Sequence, residues 1–228
     1  MGILDTGDCW SVLDIAANDT TLLSFYGNHF RRVAVDPSNA LLKCNDKSIE
    51  LINDFYPTNK LLGRGFHFIS SMAVFYDIED PVNFARNIKT NLKFDGIWVC
   101  EFAYLPLSIK NLCYDAIVNE HITYYSLSSF EYVVKTAGLK VVRAEINDIN
   151  GGSICCYCTH QDEKKYDRAE WKKQLFEIRK QEYEMALDTD EPYDEFNSRI
   201  HTQKYELVKL IKEIRERGET IHLYGAST

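Results

Sequence analysis

The sequence predicts a doubly wound α/β domain: a mostly parallel sheet with helices on both faces, closed by one antiparallel hairpin and followed by a helical extension. Three observations predict it. Short apolar runs alternate with helical patterns over the first two thirds of the chain, the signature of strand–helix–strand units. Two strand patterns then follow one another with no helix between them, which implies antiparallel pairing. Beyond residue 160 the chain turns to Glu, Lys and Arg, with apolar residues at helical spacing.

Taken in order, Ser11-Val12-Leu13-Asp14-Ile15 reads as a buried strand and residues 21–30 as a helix. Arg32-Val33-Ala34-Val35-Asp36, Ile49-Glu50-Leu51-Ile52 and Phe66-His67-Phe68-Ile69-Ser70-Ser71 read as the next three strands, buried on both faces as parallel strands are. Pro81 suits a first helical turn, and Val82, Phe84, Ala85 and Ile88 continue it as an apolar stripe. Gly96-Ile97-Trp98-Val99-Cys100-Glu101 is a fifth strand, and a helix follows near residues 128–137. The hairpin strands are Leu139-Lys140-Val141-Val142-Arg143-Ala144-Glu145 and Gly152-Ser153-Ile154-Cys155-Cys156-Tyr157.

In the extension, Trp171, Leu175, Ile178 and Tyr183 mark one helix, and Tyr205, Val208, Leu210, Ile211 and Ile214 another that Gly218 can cap. Thr220-Ile221-His222-Leu223-Tyr224 reads as a strand running into Gly225-Ala226-Ser227-Thr228, the kind of small-residue loop that opens a nucleotide-binding unit. The expected division is a cofactor-binding domain over residues 1–160 and a helical linker with the start of a further domain over residues 161–228. The chain is expected to be a fragment, one half of a split gene or a truncated form.

A chain of 228 residues with a net charge of −8 argues against nonspecific binding to nucleic acid or anionic membrane. No apolar stretch approaches the ~18 residues of a membrane span, and the N-terminus lacks a basic start and apolar run. A cytoplasmic location is expected. The seven cysteines form no CxxC pair, and several lie inside apolar runs, so they read as buried, reduced thiols.

Ligands of such sheets sit at the carboxyl ends of the strands. The first strand ends in Asp14-Ile15-Ala16-Ala17-Asn18-Asp19, and the second in Asp36-Pro37, about twenty residues on. That spacing suits a carboxylate accepting hydrogen bonds from both ribose hydroxyls. The loop lacks the glycines that let a pyrophosphate approach the backbone. S-adenosylmethionine has no phosphate and tolerates the small side chains of Ala16 and Ala17, so it fits better than a dinucleotide. Asp14, Ala16, Asn18 and Asp19, with Asp36 and Pro37, are therefore cofactor candidates. The same edge adds Asp54 and Phe55 after the third strand and Ala73 after the fourth. Read blandly, the aspartates end strands or cap helices.

Val12-Leu13-Asp14-Ile15-Ala16-Ala17-Asn18-Asp19 resembles the first motif of the nucleotide-sugar C-methyltransferases, which methylate a carbon of a keto-deoxysugar. Ser71-Met72-Ala73-Val74-Phe75-Tyr76-Asp77-Ile78-Glu79-Asp80-Pro81 resembles that family's segment after the fourth strand. The most specific match is Tyr114-Asp115-Ala116-Ile117-Val118-Asn119-Glu120-His121, followed by Tyr124-Tyr125, against a family pattern of Tyr-Asp-Thr-Ile-Cys-His-Glu-His and a Tyr-Tyr pair. Asn150-Gly151-Gly152-Ser153 and Tyr224-Gly225-Ala226-Ser227-Thr228 also match, so the resemblance runs nearly end to end.

The sequence departs from the pattern at several positions. Ala16 and Thr20 replace motif glycines, Val118 and Asn119 replace Cys and His, and Thr123 replaces a common Glu. The family's substrate-site tyrosine falls at Val118. The resemblance implies a Rossmann-like class I methyltransferase sheet, S-adenosylmethionine as cofactor with S-adenosylhomocysteine as product, and a nucleotide-linked sugar as substrate. Family members also carry an N-terminal zinc module and a C-terminal domain that helps hold the nucleotide sugar. This chain is expected to have neither, so no metal is implied, and a partner chain could supply the missing domain.

Methylation beside a ketone needs a base, a stabiliser of the enolate oxygen and close positioning of both reactants. His121 is the candidate base, because imidazole titrates near neutrality. Glu120 is expected to orient His121 or bind substrate, and Tyr124, Tyr114 or Tyr125 to donate to the developing oxyanion. Asp77, Glu79 and Asp80 read as helix-start charges before Pro81. Competing readings are O- or N-methylation of a sugar or glycan precursor, and a non-catalytic or split-enzyme module that binds the cofactor.

Overall fold

A computed structural model of the chain describes residues 9–225. Seven strands form one sheet in the order β3-β2-β1-β4-β5-β7-β6: β1 (Ser11–Ile15), β2 (Arg31–Val35), β3 (Ile49–Ile52), β4 (Phe66–Met72), β5 (Leu92–Ala103), β6 (Leu139–Asn147) and β7 (Ser153–His160). The first five run parallel, with Leu13 of β1 opposite Val33 of β2 and Ile69 of β4. β7 enters antiparallel between β5 and β6, Cys100 facing Cys156 and Ala144 facing Cys156 from the other side. This is the parallel sheet with a terminal hairpin that the sequence predicts. The reversal between β1 and β4 places the ligand crevice at the carboxyl edge of β1, as in other doubly wound sheets.

The two faces are covered unequally. On one, α2 (Pro81–Asn91), α4 (Leu127–Thr136) and α5 (Ala169–Glu184) pack over a single core. Its centre is aromatic: Phe75, Phe84, Trp98, Phe102 and Phe130 are buried with ring centroids about 5–6 Å apart. Each such ring stabilises the fold by roughly 2–3 kcal/mol. Trp98 places its indole N–H on Ser71 Oγ at 2.9 Å, so its polar edge is satisfied.

The other face holds a small cluster of Val12, Ala17, Leu23, Ala34, Leu41 and Ile49 under α1 (Thr21–Ser24) and a 3-10 turn at Leu41–Lys43. The helix expected over residues 21–30 is thus one turn long. Gly27 and Asn28 break it, and Phe25, its C-cap, is 81% exposed. The buried Arg32 guanidinium donates to the Leu23 and Tyr26 carbonyls and pairs with Asp46, closing the turn from below.

After β5 comes α3 (Leu105–Lys110), and after α5 a 26-residue helix, α6 (Glu191–Glu216). α5 is not a free appendage, since Leu175 and Ile178 belong to the main core. Its fourth inward residue is Glu182, 4% exposed, while the expected Tyr183 is 85% exposed. The helical period of 3.6 explains the correction, because 171, 175, 178 and 182 fall on one face and 183 does not. α6 buries none of its residues.

Gly218 ends α6 with φ +75, as expected of a cap. The strand expected over residues 220–224 does not form: among the described residues none pairs with it. Ala226-Ser227-Thr228, the rest of that motif, lies outside the described residues. Gly152 takes φ +131, and a Cβ there would fall 2.5 Å from Leu107 Cβ, so the Asn150-Gly151-Gly152-Ser153 motif seats α3 against β7. All seven cysteines are free thiols. Among the described residues no helix is long and apolar enough to cross a membrane.

Candidate active site

The carboxyl ends of β1, β2 and β3 are tied into one surface by backbone bonds. Ala16 N and Ala17 N both donate to Val35 O, Asp36 N donates to Ile52 O, and Asp54 N donates to Asp36 O. Asp36 sits at the centre, 6% exposed. Its carboxylate accepts Asn18 N at 2.9 Å on one oxygen and Ser38 N at 2.7 Å on the other. Burial pushes the carboxyl up, but the bonds from Ser38 and Asn18 outweigh it and hold the group below the usual carboxylate range. Each oxygen keeps a lone pair, so an ionised, oriented acceptor for a pair of hydroxyls is in place.

Asp14 lies beneath the loop, 3% exposed, accepting Ser70 Oγ at 2.6 Å. Burial, opposed by Ser70 and reinforced by Asp36, pushes its carboxyl up to about 6. It forms no ion pair among the described residues. Two neighbouring carboxylates without a cation favour a positively charged ligand, since such a charge would relieve both burial and mutual repulsion.

The loop keeps a glycine-like backbone without glycines. Ala16, Asn18 and Thr20 take φ of +60, +48 and +67. Most of its amides are already committed: those of residues 16, 17, 18 and 20 donate to Val35 O, Asp36 or Ala17 O, and Thr21 N donates to Asp19 Oδ1. A pyrophosphate would need such N–H groups free, so the donor set fits a phosphate-free cationic cofactor.

The remaining cofactor candidates line the same edge. Pro37 is exposed beside Asp36, and Phe55 presents a ring 74% exposed. Asp54 binds Phe55 N, Thr58 Oγ1 and Lys60, so its carboxylate mainly shapes the turn. Ala73, with φ +54, bonds Glu101 O after β4.

His121 lies in the loop joining α3 to α4 and is half-buried. Its Nδ1 is 2.8 Å from Ala116 O. A carbonyl only accepts, so Nδ1 carries the hydrogen and Nε2 holds the lone pair of the neutral ring. The Tyr76 ring lies 4.2 Å from the imidazole, and Tyr76 O accepts both Ile122 N and Thr123 N at 3.1 Å. Asp77 and exposed Glu120 complete an acidic surround. Burial raises the Asp77 carboxyl, His121 lowers it and Glu120 raises it.

Asp80 does cap α2, accepting Asn83 N at 2.9 Å, as expected. Asp77 has a place the sequence reading missed, beside the imidazole, and the one signal for it was adjacency to Tyr76 in a matched segment. Of the tyrosines, Tyr124 directs its hydroxyl to Ala116 O at 3.3 Å, sharing that carbonyl with His121. Tyr125 is 3% exposed in the aromatic core, and Tyr114 is 42% exposed at the loop's start. A groove of about 660 Å³ opens elsewhere, between α3, α5 and α6, and is lined in part by Tyr104, Lys110, Glu182 and Arg199. It touches neither Asp36 nor His121, so chemistry rather than volume marks the site.

Comparisons with known proteins bear on the family and the fold. Residues 6–144 match a family described as a methyltransferase domain, and residues 148–228 one described as a C-methyltransferase C-terminal domain. The C-methyltransferase NovU of Streptomyces niveus is 28% identical over 207 residues, covering 87% of this chain and 48% of NovU, so the chain spans about half of that relative. Among solved structures, a putative methyltransferase in complex with the Haloferax volcanii Trm112 activator superposes with a TM-score of 0.56 at 15% identity, covering 67% of this chain and 83% of the other. The mitomycin 7-O-methyltransferase MmcR superposes at 0.54 with 18% identity, covering 69% and 50%. These two likenesses concern the fold. With a matching domain model over more than half its length, on a sheet whose switch point carries Asp14 and Asp36, the chain belongs to the methyltransferase-domain family.

Proposed function

We propose that the chain is the catalytic part of an S-adenosylmethionine-dependent C-methyltransferase acting on a nucleotide-linked keto-deoxysugar. The cofactor of this family is S-adenosylmethionine, and the residues present fit it. Asp36 would hold the ribose hydroxyls, Asp14 the positive charge and exposed Phe55 a face of the adenine. When bound, the cofactor supplies an electrophilic methyl group.

The observation that carries the acceptor chemistry is the 2.8 Å contact of His121 Nδ1 with Ala116 O. With Nδ1 fixed on Ala116 O, Nε2 is the basic atom and takes the proton from the carbon beside the ketone. The imidazolium that results gains stabilisation from Asp77 and Glu120. Tyr124 has a hydroxyl that can turn from Ala116 O to a developing oxyanion. Carbon as the acceptor atom is supported by the C-methyltransferase C-terminal domain match and by the likeness to NovU.

Calorimetric titration with S-adenosylhomocysteine tests the first half of this reading. Micromolar binding that is lost in Asp36→Ala is expected, and a folded chain that binds nothing would overturn it. Incubation with methyl-¹³C cofactor and a nucleotide keto-deoxysugar tests the second half. A new C–CH₃ resonance supports carbon methylation, and a methoxy resonance would move the reading to O-methylation.

A further inference from the structure

We propose that α5 and α6 are a two-ended clamp on the loop that carries His121, with Glu182 and Arg199 as its positioning residues. The proposal rests on His121 being the base. The loop, residues 111–126, leaves α3 and enters α4, and each of those helix ends is closed by a charged side chain from the C-terminal helices. At the end of α3, the Arg199 guanidinium of α6 donates to Ile109 O at 3.1 Å and Lys110 O at 2.9 Å. At the start of α4, the Glu182 carboxylate of α5 accepts Leu127 N at 2.5 Å and Ser128 N at 3.0 Å.

The charges match the ends they close. Orphan carbonyls at a helix C-terminus carry partial negative charge and meet a cation, while orphan amides at an N-terminus carry partial positive charge and meet a carboxylate. The accounting at α4 is complete. Ser126 N is taken by Ser129 Oγ, Leu127 N and Ser128 N by Glu182, and Ser129 N by Ser126 Oγ.

Glu182 also accepts Ser128 Oγ at 2.5 Å and Tyr104 O–H at 2.8 Å. Four polar groups thus converge on its two oxygens, two of them backbone amides of α4's first turn. Tyr104 in turn pairs by backbone with Tyr125, and Leu105 N donates to Tyr125 O at 2.9 Å, drawing the loop's exit against the end of β5. One buried carboxylate therefore fixes the helix, the tyrosine and the strand end between which the loop is hung. Between those ends the loop meets the neighbouring site at a few points only: Ile122 N and Thr123 N donate to Tyr76 O, and the His121 ring lies on Tyr76 and beside Asp77. Its register against Tyr76 and Asp77 is set by its anchored ends.

The test uses the full chain and reads the loop directly. In Glu182→Gln and Arg199→Gln, amide hydrogen exchange at Ile122 and Thr123 should rise by about tenfold or more. Affinity for S-adenosylhomocysteine should stay within about twofold, and kcat should fall by about tenfold at unchanged cofactor KM. Arg199→Lys, which keeps the charge and one donor, should recover part of both effects. Arg179→Gln removes the bidentate Arg179–Glu131 pair between the same α5 and α4 but leaves all four hydrogen bonds of Glu182 in place, and should change neither. Unchanged exchange at Ile122 and Thr123 in the folded variants would overturn the proposal, as would an equal effect from Arg179→Gln. If Glu182→Gln fails to fold, Arg199→Gln decides alone. If the parent chain shows no turnover, the exchange result still judges the clamp, while the proposed role of His121 as base is the reading that falls.

Discussion

At the scale of single residues, the candidate cofactor loop and the strand end beneath it hold two stored costs. The first is steric. Ala16 sits at φ +60, where a Cβ costs roughly 1–2 kcal/mol. Replacing it with glycine removes that cost but adds backbone freedom to the unfolded chain. Ala16→Gly should therefore stabilise the fold by a net of about 0.5–1 kcal/mol in urea melts, without weakening cofactor binding.

The second cost is electrostatic. The Asp14 carboxyl titrates at about 6 when folded against 3.8 in its ordinary state. The unfolded chain then binds fewer protons than the folded one between those values, so stability falls as pH rises through this window and is level above it. Asp14→Asn escapes the penalty. It should be more stable than the parent near pH 7 by up to about 3 kcal/mol, the advantage shrinking toward zero near pH 4. The same variant should bind cofactor poorly, the pattern of a site that trades stability for charge. Melts of both proteins across pH 4–7.5 check the sign; an advantage that grows on acidification would contradict it.

At the scale of elements, Leu175→Ala tests whether α5 belongs to the domain. Leu175 is 3% exposed within the main core, so truncation should cost roughly 2–5 kcal/mol and lower a single unfolding transition. A separate early transition for the C-terminal helices would instead make α5 an independent unit. The same helix shows what was legible in the sequence. Period 3.6 found Leu175 and Ile178 but passed over Glu182, because a carboxylate on an apolar stripe is read as an interruption until its partners across the chain are known.

The strands were legible because parallel strands are buried on both faces and leave unbroken apolar runs, as at Val12-Leu13 and Val33-Ala34-Val35. The one-turn α1 was not, since the apolar residues between 22 and 30 have helical spacing yet Phe25 is left exposed. The position of Asp36 at the carboxyl end of β2 followed from the strand pattern alone. The neighbourhood of His121 did not, because Tyr76, Asp77 and Ala116 meet it through loops whose paths no local pattern encodes.

At the scale of the whole molecule, charge ties these levels together. The chain carries −8 overall, and four aspartates, 14, 19, 36 and 54, crowd the carboxyl edge of the sheet. Asp19, Asp36 and Asp54 are all held below the usual carboxylate range by hydrogen bonds, so the edge is acidic across the neutral region. S-adenosylmethionine has a sulfonium and an ammonium against one carboxylate. S-adenosylhomocysteine has lost the sulfonium and is neutral overall. On the proposed placement of the cofactor, the field of the edge favours the substrate form over the product form. This preference is screened by salt, because the Debye length shrinks from about 10 Å at 0.1 M to about 3 Å at 1 M. Raising sodium chloride across that range should weaken S-adenosylmethionine binding several-fold and S-adenosylhomocysteine binding little, and Asp19→Asn should reduce the difference. Equal salt responses for the two ligands would mean that hydrogen bonds and stacking, not the acidic edge, govern their recognition.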